Sequence, residues 1–156
     1  MATYEYDSQD EQATDRLGAA LAAALPDGSV VALIGPLGAG KTRLVQAVAE
    51  ASGVPRRDVV SPTFVVAQQY QGHRSIYHFD VYRLGDEDEF LELGADECFE
   101  RDGISFVEWG DRFQRCLPDS RLDIRITITG DASRKFQLAG HGDRWTAVIQ
   151  AVSEAL

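Results

Sequence analysis

Apolar and polar positions change period several times along the chain, and each change marks an element. Val30-Val31-Ala32-Leu33-Ile34 is an unbroken apolar run, as expected of a parallel strand buried on both faces. Upstream, Ala13, Leu17, Ala20, Leu21 and Ala24 recur at helical spacing. Ser8-x-x-Glu11 reads as the capping box that opens this helix, and Pro26-Asp27-Gly28 ends it. Tyr4 to Tyr6 reads as a short edge strand. Downstream of the apolar run, Leu44, Val45, Val48 and Ala49 predict a helix over Thr42 to Ala51, stopped by Gly53 and Pro55.

The remainder alternates more. Phe64 to Tyr70 and Ser75 to Tyr82 are strand-like and joined by Gln71-Gly72-His73-Arg74, which predicts a hairpin. Asp86-Glu87-Asp88-Glu89 supplies an acidic first turn to a helix that Gly94 closes. Ile104-Ser105-Phe106-Val107 predicts a second buried strand, ending in Glu108-Trp109. Leu122, Ile124, Ile126 and Ile128 alternate with Asp123, Arg125, Thr127 and Thr129, the mark of a strand with one wet face. Gly130 to Ser133 turns it into a partner at Lys135 to Ala139, and Asp143 is placed to cap a last helix that turns Trp145, Val148, Ile149 and Val152 inward. The sum predicts one α/β domain over residues 1–156: a P-loop NTPase-like three-layer core with a largely parallel sheet plus antiparallel hairpin additions.

One connection in this pattern carries chemistry. Gly35-Pro36-Leu37-Gly38-Ala39-Gly40-Lys41-Thr42 matches the phosphate-loop pattern G-x-x-x-x-G-K-[ST] without deviation, between a strand and a helix as the pattern requires. Phosphates need several backbone N–H donors converging on one spot, and the glycines let the loop curl with no side chain in the way. The stretch Gly38, Ala39, Gly40, Lys41 and Thr42 is therefore read as nucleotide-binding. Lys41 brings a charge to the β- and γ-phosphate oxygens, and Thr42 offers a hydroxyl to Mg²⁺.

Glu108 stands where an apolar strand ends, the position of a carboxylate that holds Mg²⁺ directly or through water. The plain alternative is a solvated strand-end acid. Trp109 beside it is either core or a wall of the phosphate pocket. Alternation puts His78, Asp80 and Tyr82 on one strand face. Asp80 is a candidate for orienting the attacking water or binding a metal-bound water, against an ordinary exposed face; His78 alone reads as structural. Ser61-Pro62-Thr63 lies where switch loops sense a γ-phosphate in related NTPases, although it is also an ordinary turn. Arg43, Arg56, Arg57 and Arg83 are all available as transition-state charge, and spacing selects none of them.

Charge narrows the partners. With 15 Lys and Arg against 25 Asp and Glu, the net charge of −10 gives no basic face for a nucleic-acid backbone, so no direct tRNA binding is expected. No apolar run reaches the roughly 20 residues of a membrane helix, and the first residues are no signal peptide. A cytoplasmic protein without membrane contact is expected, with Cys98 and Cys116 as reduced, partly buried thiols.

These stretches together resemble the bacterial TsaE family, the small ATPases of tRNA threonylcarbamoyladenosine biosynthesis. The resemblance rests on the phosphate loop, Ser61-Pro62-Thr63-Phe64, His78-Phe79-Asp80-Val81-Tyr82-Arg83-Leu84, Glu92-Leu93-Gly94 and Val107-Glu108-Trp109, in order and spacing. It implies a Mg²⁺-dependent ATPase that supports a TsaD–TsaB complex in threonylcarbamoyl transfer to an adenosine beside the tRNA anticodon. It also implies that Lys41 and Thr42 bind phosphate and Mg²⁺, that Glu108 is a metal ligand, and that Asp80 and Trp109 matter for function. Adenine is expected near Glu11 and Arg134. Where many members carry proline after the tryptophan, this chain has Gly110-Asp111. Two other functions share the core: a small-molecule kinase, which would need an arginine-rich lid and an acceptor pocket, and a non-catalytic module whose docking shape nucleotide sets.

Overall fold

Ser29–Ile34, buried at every position, forms the strand β2 at the middle of a sheet. The computed structural model describes residues 1–60 and 67–156, so Ser61-Pro62-Thr63 and the start of the first predicted hairpin lie outside the described residues. Among the described residues the other strands are β1 (Ala2–Ser8), β3 (Ala67–Gln71), β4 (Ser75–Asp80), β5 (Ile104–Glu108), β6 (Arg121–Ile128) and β7 (Arg134–His141). Their order across the sheet is β1-β7-β6-β2-β5-β4-β3. The central four, β6, β2, β5 and β4, run parallel. The antiparallel pairs β3–β4, β6–β7 and β1–β7 extend this core to both sides.

Alternation along the parallel strands divides the interior in two. Val31 and Leu33 of β2 and Ile104 and Phe106 of β5 point to one side. There they meet the helices α1 (Glu11–Ala24), α2 (Lys41–Ala51) and α5 (Trp145–Ala155) through Leu17, Leu21, Leu44, Val48 and Val152. Ala32, Phe79 and Val107 point to the other side. They pack on Phe90 of α3 (Glu87–Glu92), Ala95 of α4 (Ala95–Phe99), and Phe113 and Leu117 of a 3-10 segment and its exit. This is the three-layer α/β arrangement predicted. Among the described residues no helix is long and apolar enough to cross a membrane.

Several local expectations are corrected. Ser8 ends β1 and does not cap α1. The cap is Asp10, whose side chain accepts from the Ala13 N–H at 2.8 Å, while the Ser8 hydroxyl donates to the Asp10 carbonyl at 2.7 Å. Glu11 reaches Arg43 at 3.2 Å, so it does not fold back as a capping box requires. Arg144, not Asp143, holds the N-cap position of α5. The strand ladder ends at Asp80, leaving Val81 and Tyr82 in the following turn. Gly94, with φ 72°, closes α3 and opens the short α4, which no periodicity announced. The 3-10 segment Gly110–Cys116 is likewise too short and irregular to show in the sequence.

Candidate active site

Parallel strands end together, and here the ends converge on the phosphate loop. In the ladder Leu33 lies beside Glu108, and Glu108 beside Asp80, so the last residues of β2, β5 and β4 share one edge. The loop leaves β2 at that edge and enters α2 through Gly40, whose φ of 103° is open to glycine at little cost. Gly38 is also left-handed, with φ 80°.

Five side chains meet there: Lys41, Thr42, Asp80, Glu108 and Trp109. The Lys41 ammonium donates to the carbonyls of Gly35 (2.7 Å) and Pro36 (2.9 Å) and lies 3.9 Å from the centre of the Trp109 ring. Lys41 is only 5% exposed, and burial pulls its pKa below the usual lysine value against the opposing charges of Glu108, Asp80 and Asp111. The Thr42 hydroxyl donates to Glu108 Oε2 at 2.9 Å. Asp80 is pushed above the ordinary carboxylate range, by burial first; the Tyr82 N–H at 3.0 Å opposes this and the Glu108 charge adds to it.

Trp109 owes its position to strained backbone. Its φ of 65° makes it the one non-glycine residue in the left-handed region among the described residues. That conformation costs roughly 1–2 kcal/mol. Its N–H is nevertheless held by the Leu33 carbonyl at 2.9 Å, and its ring packs on Tyr82 at 4.7 Å between centroids. The twist turns the indole off the strand end and over Lys41.

Two adjoining clefts result. One, of about 230 Å³, is lined by the loop, Lys41, Thr42, Asp80, Glu108 and Trp109. The other, of about 200 Å³, shares Gly38 to Gly40 and Arg43 and adds Glu11, Asp131 and Arg134. Arg134 donates to the Ala39 carbonyl at 3.0 Å and the Gly38 carbonyl at 3.3 Å, tying β7 to the loop. A larger groove of about 450 Å³ lies across β6, β7 and β1, where Gln137 donates to Glu5 at 3.1 Å. There Asp123 holds Arg121 at 2.9 Å and His141 at 2.8 Å. The loop clefts are smaller and gather the candidate residues.

Gly38 to Thr42, Asp80, Glu108 and Trp109 thus share one cleft, and Glu11 and Arg134 line its neighbour. Tyr82 does not share the strand face with Asp80; it lies beyond the strand, exposed, against Trp109. Two of the arginine candidates are tied to acids: Arg43 to Glu11 and Asp15, and Arg56 to Asp15 and Glu50. Sequence reading took His78 as structural and could not show its contact with Glu108. It is fully buried, its Nε2 lies 2.5 Å from Glu108 Oε2, and its Nδ1 lies 3.1 Å from the Tyr70 hydroxyl. The signal available was its shared face with Asp80, two residues away.

The donor set at the cleft is the Thr42 hydroxyl with the Glu108 carboxylate, and Asp80 beside them. All are hard oxygen ligands, which fits Mg²⁺. Among the described residues no group of three or more His, Cys, Asp or Glu is arranged to hold a metal ion.

Comparison with known proteins shows what the whole chain is similar to. The family model described as "Threonylcarbamoyl adenosine biosynthesis protein TsaE" matches residues 8–136. The tRNA threonylcarbamoyladenosine biosynthesis protein TsaE of Treponema pallidum (strain Nichols) is 37% identical over 132 residues, covering 85% of this chain and 97% of the relative. The protein of the same name from Bacillus subtilis (strain 168) is 38% identical over 146 residues, covering 93% of this chain and 89% of the relative. The crystal structure of Bacillus subtilis YdiB superposes with a TM-score of 0.78 at 28% identity, covering 98% of this chain and 95% of that one.

Proposed function

Because the chain belongs to the TsaE family of tRNA threonylcarbamoyladenosine biosynthesis, we propose that it is a Mg²⁺-dependent ATPase of that pathway. In this reading it binds and hydrolyses ATP in the cytoplasm to support a TsaD–TsaB complex in threonylcarbamoyl transfer. The observation that carries the proposal is the bond from Thr42 to Glu108 across the mouth of an unbroken phosphate loop, with Lys41 beside it.

The loop N–H groups of Gly38 to Thr42 receive the phosphates at the start of α2, where the helix dipole favours negative charge. Lys41 exchanges the Gly35 and Pro36 carbonyls for β- and γ-phosphate oxygens, and Trp109 shields it from water. Thr42 and Glu108 would hold Mg²⁺, which when bound would supply charge neutralisation at the transferring group. Asp80, poised by burial to take a proton more readily than an exposed aspartate, orients the attacking water. Glu11 and Arg134 border the adenine side. Arg43 and Arg56 are occupied by carboxylates, which agrees with a slow enzyme that a partner accelerates. The net charge of −10 leaves contact with tRNA to that partner.

The test is ATP hydrolysis by the purified protein, alone and with the TsaD–TsaB pair. A slow rate that rises strongly with the pair is expected, together with loss of nucleotide binding or turnover in Lys41→Ala. A rate indifferent to the pair refutes the coupled reading, and phosphate appearing on an acceptor instead of in water turns it toward a kinase.

A further inference from the structure

A buried carboxylate needs donors, and Glu108 has two on the same oxygen. Its Oε2 receives the Thr42 hydroxyl at 2.9 Å and lies 2.5 Å from His78 Nε2, with Glu108 only 3% exposed and His78 fully buried. On its far side, His78 Nδ1 lies 3.1 Å from the Tyr70 hydroxyl. That hydroxyl also has Gln68 Oε1 at 2.6 Å and the Val60 carbonyl at 3.4 Å. A continuous polar line therefore runs from edge strand β3 through β4 and β5 to the first turn of α2. Its members come from different strands: Gln68 lies opposite His78 in the β3–β4 ladder, and His78 opposite Phe106 in the β4–β5 ladder.

We propose that His78 is a positioning residue for the Mg²⁺–nucleotide site. It fixes the Glu108 carboxylate from behind so that the Thr42 hydroxyl, donating to the same oxygen, turns its lone pairs to the cleft. A hydroxyl has one proton, so the direction in which Thr42 donates decides where its acceptor face points. That direction follows from where Oε2 sits, and His78 holds Oε2. Tyr70 fixes the imidazole in turn. Partners of this kind behind a ligand set its orientation and basicity. Simple packing does not require the arrangement, since an apolar residue would fill β4 here as Ile76 does two positions earlier.

The inference rests on the reading of Thr42 and Glu108 as a Mg²⁺–nucleotide site, and the test separates the two. Binding of a fluorescent ADP analogue is titrated with Mg²⁺ and, separately, in excess chelator, for the parent, His78→Phe, His78→Gln and Tyr70→Phe. In His78→Phe the Mg²⁺ concentration for half-maximal binding rises about 10-fold or more, while affinity in chelator stays at the parent's value. His78→Gln, whose amide N–H reaches Oε2, restores most of the loss; Tyr70→Phe shifts the midpoint by a smaller factor in the same direction. If the parent's binding does not depend on Mg²⁺, the site reading falls and takes the inference with it. If the parent depends on Mg²⁺ and His78→Phe keeps its midpoint, or His78→Gln is as impaired as His78→Phe, the positioning role is wrong. Should circular dichroism show His78→Phe unfolded, Tyr70→Phe decides: an unmoved midpoint overturns the inference.

Discussion

Gly18→Ala sets local propensity against packing, and the structure says which wins. Alanine in a helix interior is favoured over glycine by about 1 kcal/mol, so a sequence-level argument predicts a more stable α1. A Cβ at Gly18 would instead stand 2.3 Å from the Ala47 Cβ, 2.9 Å from the Ala47 backbone carbon and 3.0 Å from the Val48 nitrogen. Two of those three atoms are backbone of α2 and cannot swing aside as a side-chain tip can. Overpacking of this kind costs about 1–3 kcal/mol, and backbone contact puts it in the upper half of that range. The net is a loss of about 1–2 kcal/mol, or a fall in Tm of about 2–8 °C for a chain of this size. Thermal and urea unfolding followed by circular dichroism read it directly. Because α2 begins with Lys41 and Thr42, displacing it also moves Thr42 against Glu108, and nucleotide affinity should fall with Tm. An unchanged or higher Tm would refute the claim that the approach of α1 to α2 depends on this glycine.

Other outcomes follow from the same geometry. Lys41 has a lowered pKa, so below its folded pKa its charge opposes folding, and stability rises with pH only between that value and 10.5. Lys41→Met should therefore be more stable than the parent in denaturation at neutral pH while losing nucleotide affinity. Asp80 has a raised pKa, so its contribution falls as pH climbs from 3.8 through the folded pKa and stays unfavourable above it. Asp80→Asn, which still accepts from the Tyr82 N–H, should be more stable than the parent at neutral pH. The difference should vanish below the ordinary carboxylate value, as unfolding measured across pH will show. Burial pushes both cysteine thiols upward, so Cys98 and Cys116 should react with a disulfide reagent at pH 8 more slowly than free cysteine.

What could be read from the sequence was what depends on neighbours in the chain. The apolar run Val30 to Ile34, the glycine loop and the helix after it are local signals, and the structure places them as read. Glu108 was found because a strand-end acid is visible as the end of an apolar run. His78 was read only as structural, because its contact with Glu108 depends on β4 lying beside β5, a pairing between segments 30 residues apart. The capping of α1 was misplaced by two residues because β1 runs on to Ser8, drawn out by its pairing with β7. Trp109 could be named but not oriented: left-handed backbone at a tryptophan has no sequence signature. The helix α4 and the 3-10 segment after β5 are shorter than any period can declare.

The strand β1 runs antiparallel to β7, with Ala2 opposite Gly140 and Ser8 opposite Arg134. Arg134 in turn grips the phosphate loop at Ala39, 95 residues away in the chain. The loop itself is complete once Thr42 has been made, yet one wall of its second cleft arrives only with Asp131 to Phe136. Closing contacts over such separations is slow, and the chain cannot make them while it is being synthesised. A nucleotide that uses both clefts would select the finished fold over every partly folded one. It would then act as a folding ligand as well as a substrate, adding its binding free energy only to the native state.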